Sequence, residues 1–324
     1  MKIILPGGSG QVGRMLVRAL ARAGHECVVL TRRPKGSGQV AAARREVYWD
    51  GKSLGAWTGE IDGADVVINL AGRSVNCRYH PRHLAEMMNS RFESTRLVGQ
   101  AIARAERPPR VWLQAGTATI YAHRFDAPND EETGLIGGNE PGAPALWSKS
   151  VDIARVWEAA LNDAPTPHTR KVILRSAMTM SPDRGGVFHV LATLARLGFG
   201  RQGDGRQYVS WIHEFDFVAA VTFLIEREDA TGAFNLAAPR PLENRDFIGA
   251  VHRALKSRVS VPLPTWALEI GAFFLRTETE LVLKSRRVIP ARLQQLGFEF
   301  LYPTWPAAAN DLVAAMRGRT QEIP

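Results

Sequence analysis

The chain has 324 residues, of which 45% are hydrophobic and 23% are charged. This is an ordinary globular composition, and the length suits one large α/β domain or a core domain with an appended smaller unit. The formal net charge is +9, but the arginines are scattered along the chain and no basic block alternates with aromatic residues, so we expect no nucleic-acid partner.

The two cysteines, Cys27 and Cys77, are too few for a disulfide framework and indicate a reducing compartment. No Cys/His cluster has the spacing of metal ligands, so we predict no metal site. Before the first glycines only Ile3, Ile4 and Leu5 form an apolar run, far short of a secretory segment. The apolar stretch 266–275 contains Glu269 and spans about half of the ~20 residues that cross a membrane. We therefore predict a cytoplasmic protein without a membrane partner.

The first half of the chain alternates strands and helices. Residues 2–5 form a short apolar run that predicts a buried strand, and from Gln11 the apolar residues recur at helical spacing up to Gly24. Further strands are predicted over 27–31, 65–70, 111–115 and 171–175, and helices over 83–105 and 151–161. This alternation predicts an α/β fold with a doubly wound parallel sheet of the Rossmann type.

After about residue 180 glycines interrupt the chain, and short helices and turns replace the regular alternation. Helices are predicted over 216–226 and 245–254, and a strand over 234–236. We predict a dinucleotide-binding core in residues 1–180, to which residues 208–240 return. Residues 181–324 then form a smaller, mixed substrate-side and C-terminal helical region.

A glycine-rich turn follows the first strand, with Gly7, Gly10 and Gly13 at the spacing of a dinucleotide site. The first glycine permits a tight turn, the second lets the backbone approach a pyrophosphate, and the third lets the helix pack closely on the sheet. Gln11 and Val12 lie at the helix start, where backbone N–H groups and the helix dipole favour phosphate. The strand before the turn and the amphipathic helix after it support this interpretation.

The residues at the end of the second strand indicate which dinucleotide binds. An NAD site places a carboxylate there to bind the ribose 2′-OH, but this chain has Thr31-Arg32-Arg33. A guanidinium at this point would pair with a 2′-phosphate. We therefore predict NADP(H), with Arg32 as the phosphate ligand; the alternative is that Arg32 is only a surface charge.

The glycine spacing, Asn69-Leu70-Ala71-Gly72 and Ser90-Arg91 resemble the extended short-chain dehydrogenase/reductase superfamily. More narrowly, the chain resembles its atypical "epimerase family" branch, which carries a C-terminal domain of unknown function. The motifs that support this narrower resemblance are Trp49-Asp50, Trp157-Glu158, Leu174-Arg175-Ser176, Ser210-Trp211-Ile212-His213, Asn235-Leu236-Ala237-Ala238-Pro239, Val288-Ile289-Pro290 and Leu296-Gly297-Phe298.

The resemblance implies a Rossmann core that binds NADP(H), without a settled substrate. It places Thr31 and Arg32 at the adenosine ribose and its phosphate. By the same resemblance, the other cofactor contacts are Leu70 and Ala71 after the fourth strand, Glu86 and Arg91 on the long helix, and Thr179 near the nicotinamide.

The chain departs from the superfamily at the catalytic pair. Short-chain reductases use Tyr-x-x-x-Lys on one helix, where the lysine lowers the tyrosine pKa. The corresponding positions here are Ser150 and Ala154. The string from Tyr48 to Lys52 contains a glycine and precedes the fourth strand, so we treat it as a coincidence.

Other residues are candidates for catalysis. Thr117 stands where the superfamily keeps a hydroxyl that polarises the substrate, and Tyr121 follows four residues later. His213 could act as an acid or orient an anion; alternatively, it only joins the strand to the next helix, at whose start Asp216 could cap the free N–H groups. Lys149 could supply charge near the missing lysine, with a solvated surface lysine as the alternative. Arg175 and Arg206 could bind a substrate carboxylate or phosphate, with ion pairing as the alternative.

Three functions remain open. The first is an NADP(H)-dependent oxidoreductase or epimerase that acts on a small or medium-sized polar substrate. The second is a protein that senses NADP(H) without turnover, which the absent Tyr/Lys pair favours. The third is non-redox chemistry such as dehydration or cyclisation. The apolar run 267–275 could pack on the core or on a second copy in a homo-oligomer.

Overall fold

The structure is a computed structural model that describes residues 1–34, 44–274 and 278–321. The strands in these ranges are β1 (Lys2–Pro6), β2 (Glu26–Thr31), β3 (Arg44–Tyr48), β4 (Val66–Asn69), β5 (Val111–Thr117), β6 (Arg170–Ser176), β7 (Met178–Met180), β8 (Phe199–Gln202), β9 (Tyr208–Val209), β10 (Trp211–His213), β11 (Gly232–Leu236), β12 (Leu242–Glu243) and β13 (Val261–Leu263). The helices are α1 (Gln11–Arg22), α2 (Pro81–Arg104), α3 (Leu146–Asn162), α4 (Val187–Arg196), α5 (Glu214–Glu226), α6 (Asn244–Leu255), α7 (Thr265–Phe274), α8 (Glu280–Leu283), α9 (Ala291–Gln295) and α10 (Trp305–Gln321).

Seven strands form the main sheet in the order β11-β6-β5-β4-β1-β2-β3. All neighbouring pairs are parallel; Ile3, for example, lies beside Cys27 on one side and Val66 on the other. The strand order reverses between β1 and β4, and in sheets of this kind ligands bind at the carboxyl ends of the strands next to such a reversal. The prediction of a Rossmann-type α/β fold is confirmed.

Both faces of the main sheet are covered by helices, as its nearly continuous apolar strands require. Alternate residues point to opposite faces, so Ile3 and Leu5 of β1 join one core cluster with α1 and α5. Ile4 joins the other cluster, with Trp112 of β5 and Val98 of α2. The strands are therefore buried on both faces, and polar side chains can project from their carboxyl ends.

A second core lies in the later part of the chain, where α4, α6 and α10 pack together. Its centre is Trp305, whose ring stacks on Phe247 at a centroid distance of 4.1 Å and whose Nε1 donates to Phe247 O. Three small sheets accompany it: β7 with β10, β8 with β13, and β9 with β12. The predicted division of the chain into two regions at residue 180 stays a prediction. β11, which lies within residues 208–240, joins the main sheet beside β6.

The apolar run 267–275 falls largely on α7, where Ile270 is 52% exposed. Its last residue lies outside the described residues. The homo-oligomer predicted from this run therefore stays a prediction.

Candidate functional site

The glycine turn has the tight geometry that its sequence predicts. Gly7 has a φ of +75°, and a Cβ on it would lie 2.7 Å from Ala71 Cα. A Cβ on Gly13 would lie 2.4 Å from Gly8 Cα, so α1 packs directly on the turn. A Cβ on Gly10 would meet only Gly7 O, at 3.5 Å. The backbone at Gly10 is therefore open to an approaching group, whereas that at Gly7 and Gly13 is closed by the protein itself.

The start of α1 offers backbone donors beside this opening. Gly10 is the N-cap, and no side chain caps the helix. Gln11 and Val12 form the first turn; Gln11 Nε2 lies against Gly186, and Val12 packs on the core. An uncapped helix start behind an open glycine is a site that suits phosphate.

The end of β2 reaches the same opening. Thr31 is buried, with its Oγ1 3.3 Å from Ser9 Oγ in the glycine turn. Arg32 is exposed, and the described part of the chain gives it no ion-pair partner. Its guanidinium is therefore available to an anionic ligand.

The turn connects to α2 through the segment after β4. Leu70 N donates to Pro6 O at 2.8 Å, and Ala71 lies against Gly7. The next residue, Gly72, is so close to Arg91 that a Cβ on it would meet Arg91 Cγ at 3.3 Å. The predicted residues Leu70, Ala71 and Arg91 are thus brought together along one edge of the glycine turn.

Beyond Arg91 lies a cavity of about 240 Å³. It opens between α2, α3, the end of β5 and the segment that follows α8. Its lining residues are Val75, Tyr79, Met87, Arg91, Gly116, Thr117, Thr119, Ser150, Ile153, Trp157, Leu281 and Arg286. A more open depression near Leu54 and Arg104 lies at the C-terminal end of α2, and neither Arg91 nor any residue of the glycine turn lines it.

The cavity is positively charged. Arg91 lies over the Trp157 ring at 4.9 Å and donates to Met87 O. Burial lowers the pKa of Arg91 to about 10. This effect is expected when a cation loses its hydration and little nearby negative charge replaces it. Burial likewise lowers the pKa of Arg286, against the opposing charge of Glu280. Two guanidinium groups therefore face a space that suits a small anionic or strongly polar compound.

The place of the missing catalytic pair is on α3. Ser150 lines the cavity and donates to Glu280 Oε2 at 2.6 Å, while Ala154 is buried in an apolar cluster. Tyr79, on the segment before α2, lies on the same cavity. Burial raises the pKa of Tyr79 to about 12, whereas hydrogen bonding with Ser150 acts to lower it. The phenol therefore remains neutral and can donate a proton in a hydrogen bond.

Thr117 and Tyr121, both predicted as catalytic, lie in different surroundings. Thr117 lines the cavity, and its Oγ1 accepts from Thr119 N–H at 3.1 Å. Tyr121 is 1% exposed, donates to Asn235 Oδ1 and accepts from Arg175 Nη1. Tyr121 is not among the residues that line the cavity.

His213 lies in the second core. It is fully buried, its ring stacks on Tyr302 at 4.0 Å, and its Nε2 is 3.2 Å from Asp311 Oδ2. His213 is the N-cap of α5, because its Nδ1 accepts from Phe215 N–H. The prediction that Asp216 caps this helix is wrong, because its carboxylate accepts instead from the N–H groups of Leu301 and Tyr302.

The remaining predicted residues are dispersed. Glu86 is on α2 and pairs with Arg82 at 3.0 Å and with Arg73. Thr179 is half-buried in β7, beside β10. Lys149 is exposed near Asp152, so it does not replace the missing lysine.

No local sequence pattern marks the following residues as part of the site: Tyr79, Glu280, Lys284 and Arg286. Glu280 and Lys284 are almost fully buried, with side chains 2% and 1% exposed. Their spacing of four residues is an ordinary helix ion pair, usually a surface feature. Only the packing of the C-terminal segment against α3 makes them part of this site.

Within the described ranges, no cluster of three or more His, Cys, Asp or Glu side chains could hold a metal ion. The helices described here include none that combines the length and apolar character of a membrane span.

The fold and the glycine turn define a dinucleotide-binding Rossmann protein, and comparison with known proteins makes the class more specific. The chain belongs to the NAD dependent epimerase/dehydratase family, whose sequence profile matches residues 3–237. A domain of unknown function, DUF1731, matches residues 263–312. The family resemblance seen in the sequence is confirmed.

Individual relatives match along nearly their whole length. The human epimerase family protein SDR39U1 is 30% identical over 318 residues, which cover 97% of this chain and 100% of the human protein. An epimerase family protein of Staphylococcus aureus (strain MW2) is 30% identical over 312 residues, covering 96% of this chain and 98% of its own. A crystal structure of human SDR39U1 with NADPH superposes with a TM-score of 0.82 at 28% identity, covering 97% of this chain and 99% of that one.

Proposed function

We propose that this protein binds NADPH at the glycine turn and uses it to reduce a small or medium-sized polar carbonyl compound. The observation that carries the proposal is the continuity between the two sites. Gly7 contacts Ala71, Gly72 contacts Arg91, and Arg91 lines the 240 Å³ cavity. A dinucleotide that lies along this line would have its phosphates at the turn and its nicotinamide end toward the cavity.

NADPH suits the residues at the turn better than NADH. Arg32 is free to pair with a 2′-phosphate, and Thr31 beside it offers a hydroxyl rather than a carboxylate. The NADPH in the crystal structure of human SDR39U1 supports the same choice. In this proposal Gly7, Gly10, Gln11, Val12 and Gly13 hold the phosphates.

The remaining cofactor contacts follow the order of the chain. Leu70 and Ala71 lie along the bound cofactor, and Arg91 reaches it from α2. Glu86 acts from the same helix by holding Arg73, and Thr179 lies toward the nicotinamide end. Reduced nicotinamide supplies a hydride when it is bound.

The chain's own contribution is to place and polarise the carbonyl compound. Thr117 lines the cavity, and its hydroxyl accepts only from Thr119 N–H among the described contacts, so its proton is free for a substrate oxygen. Arg286 adds positive charge at the same wall. In this proposal, residues 1–180 form the cofactor-binding core, and α2 and α3 of this core form one side of the substrate cavity. Residues 181–324 complete the cavity.

The test is a turnover assay with the full chain. The NADPH-loaded protein is mixed with aldehydes, ketones, 2-oxo acids and reducing sugars, and nicotinamide absorbance is followed. We expect at least one class to be reduced, and Thr117→Ala to slow that reaction; Thr133→Ala, on an exposed loop, serves as the matched control. Tight NADPH binding without oxidation by any compound would refute the reductase proposal. Products examined by NMR would reveal epimerisation without net oxidation.

A second candidate is an NADP(H)-sensing protein without turnover. The observation that favours it is the replacement of the usual pair by Ser150 and Ala154, of which Ala154 is buried and inert. Under this alternative, NADPH binding would change the protein's stability or its association with a partner, but the absorbance of bound NADPH would persist with every compound.

A further inference from the structure

A buried carboxyl from the C-terminal region meets a serine of the cofactor domain at the cavity wall. Ser150 Oγ lies 2.6 Å from Glu280 Oε2, although 130 residues separate them in the chain. Ser150 lines the cavity. Glu280 lies behind it with a side chain 2% exposed. Ser150 also occupies the position where the superfamily keeps its catalytic tyrosine.

The second oxygen of this carboxyl is only loosely held. Glu280 Oε1 is buried, and no hydrogen-bond partner is found for it among the described residues. Its nearest cation is Lys284 Nζ at 3.8 Å, which donates to Thr119 O instead. A carboxylate held for stability alone normally has its oxygens satisfied, because an unpaired buried charge is costly.

The groups that face Glu280 come from several elements. Tyr79 precedes α2, Ser150 is on α3, Lys284 and Arg286 follow α8, and Glu278 precedes it. Burial raises the pKa of the Glu280 carboxyl, against the opposing effects of Arg286, Ser150 and Lys284. Burial also lowers the pKa of Lys284 to about 8. The carboxyl can therefore hold a proton at a pH at which an exposed glutamate has lost it.

We propose that Ser150 and Glu280 form a proton relay that replaces the missing Tyr-x-x-x-Lys pair. Ser150 is the catalytic residue, because it lines the cavity and its Oγ is in direct hydrogen-bond contact with Glu280. Glu280 is a positioning residue that acts through Ser150. The inference rests on the proposed carbonyl reduction, and it gives the C-terminal segment a function in that reaction.

Bound NADPH would supply the hydride to the carbonyl carbon, and the C=O π electrons would move to oxygen. Ser150 Oγ would give its proton to that oxygen. When Glu280 is protonated, Oε2 donates across the same 2.6 Å contact in which the carboxylate form accepts from Ser150. Ser150 thus recovers a proton from Glu280 Oε2, which leaves a carboxylate that Lys284 and Arg286 stabilise. Water returns the proton to Glu280 after the alcohol leaves. Oxidation of an alcohol would use the same groups in reverse.

A readout without turnover tests the relay directly. Protein labelled with [13C]glutamate is titrated in the infrared, and the band of the protonated Glu280 carboxyl is identified by its loss in Glu280→Gln. We expect this band at a pH above the ordinary range of glutamate, and a shift of both its frequency and its midpoint in Ser150→Ala. Ser148→Ala, two residues earlier on α3, should leave the band unchanged, because Ala145 O is the one acceptor of Ser148 Oγ among the residues that the structure describes.

The kinetic test uses the carbonyl compound that the full chain reduces. Ser150→Ala should lower kcat by about 10²-fold or more with little change in KM, and Ser150→Thr, which keeps a hydroxyl, should recover most of it. The wild-type kcat should fall as pH rises through the Glu280 pKa, and this limb should be absent in Glu280→Gln. Glu299→Gln, on an exposed residue, is the matched control.

The outcomes separate the two proposals. Reduction that continues at the wild-type rate in Ser150→Ala would overturn the relay and leave the reductase function intact. An infrared titration of Glu280 that is identical in wild type and Ser150→Ala would also overturn it. If no carbonyl compound is reduced but the infrared shift is observed, the proposed function fails while the shared proton between Ser150 and Glu280 is supported.

Discussion

Arg175 holds Tyr121 in a buried network at the end of the main sheet. Arg175 Nη1 donates to the Tyr121 hydroxyl at 2.8 Å, and its Nε and Nη2 bind both oxygens of Glu158 at 2.8 Å. The same hydroxyl donates to Asn235 on β11. Four elements are thereby joined, namely the segment after β5, α3, β6 and β11. The hydroxyl of Tyr121, which the sequence offered as a catalytic group, is therefore committed to hydrogen bonds within the fold.

We therefore expect Tyr121→Phe to affect stability more than chemistry. The change leaves buried Arg175 and Asn235 groups without a partner, at a cost of about 1–3 kcal/mol in the free energy of unfolding. Urea denaturation measures this cost, with Tyr48→Phe as the control because Tyr48 is 62% exposed. A variant with unchanged stability and abolished turnover would instead make Tyr121 catalytic.

The sequence predicted those features that depend on neighbours in the chain. The glycine turn could be recognised because Gly7, Gly10 and Gly13 act within seven residues, and the strands because each is a continuous apolar run. The contact of Ser150 with Glu280 depends on how the C-terminal segment packs on α3, and no local pattern encodes it. The prediction that Asp216 caps α5 is wrong for the same reason. His213 caps the helix, and the Asp216 carboxylate binds the backbone of Leu301, which is distant in the sequence.

Substitutions at two glycines of the turn should have different effects, one on NADPH binding and the other on stability. Gly10→Ala adds a Cβ that meets only Gly7 O, at 3.5 Å, so we expect normal stability but weaker NADPH binding, since the methyl occupies the space for the pyrophosphate. Gly13→Ala drives a Cβ to 2.4 Å from Gly8 and should cost about 1–3 kcal/mol of stability. Thermal unfolding and NADPH titration by nicotinamide fluorescence distinguish them.

Gly59→Ala is the matched control for both variants, because a Cβ there meets nothing within 4 Å. Undiminished NADPH affinity in Gly10→Ala would show that the phosphates do not approach the turn at this glycine.

Arg32 should determine the preference for NADPH over NADH. An ionic hydrogen bond of a guanidinium to a phosphate contributes about 1.5–3 kcal/mol, so Arg32→Ala should weaken NADPH binding by roughly 10- to 100-fold. NADH affinity should hardly change, because NADH lacks the 2′-phosphate. Calorimetric titration of both cofactors is the measurement, and Arg22→Ala, at the far end of α1, is the control. Equal losses for the two cofactors would place Arg32 elsewhere than at the 2′-phosphate.

His213 should make the protein sensitive to mild acid. Burial lowers its pKa, an effect that outweighs the nearby Asp311 carboxylate, so the folded state keeps His213 neutral. The unfolded chain binds a proton below about pH 6.5, and the folded state then binds fewer protons. Stability must therefore fall as pH decreases from about 6.5 toward the folded pKa, by up to about 1.4 kcal/mol per pH unit.

His213→Asn tests this directly, because asparagine can still cap α5 but does not titrate. We expect the free energy of unfolding, measured in urea from pH 7 to pH 5, to decline less steeply in the variant, whatever its absolute value after loss of the stacking on Tyr302. His168→Asn, on an exposed residue, should keep the wild-type slope. An equal slope in His213→Asn and wild type would mean that His213 is protonated in the folded protein, paired with Asp311, and that the acid sensitivity arises elsewhere.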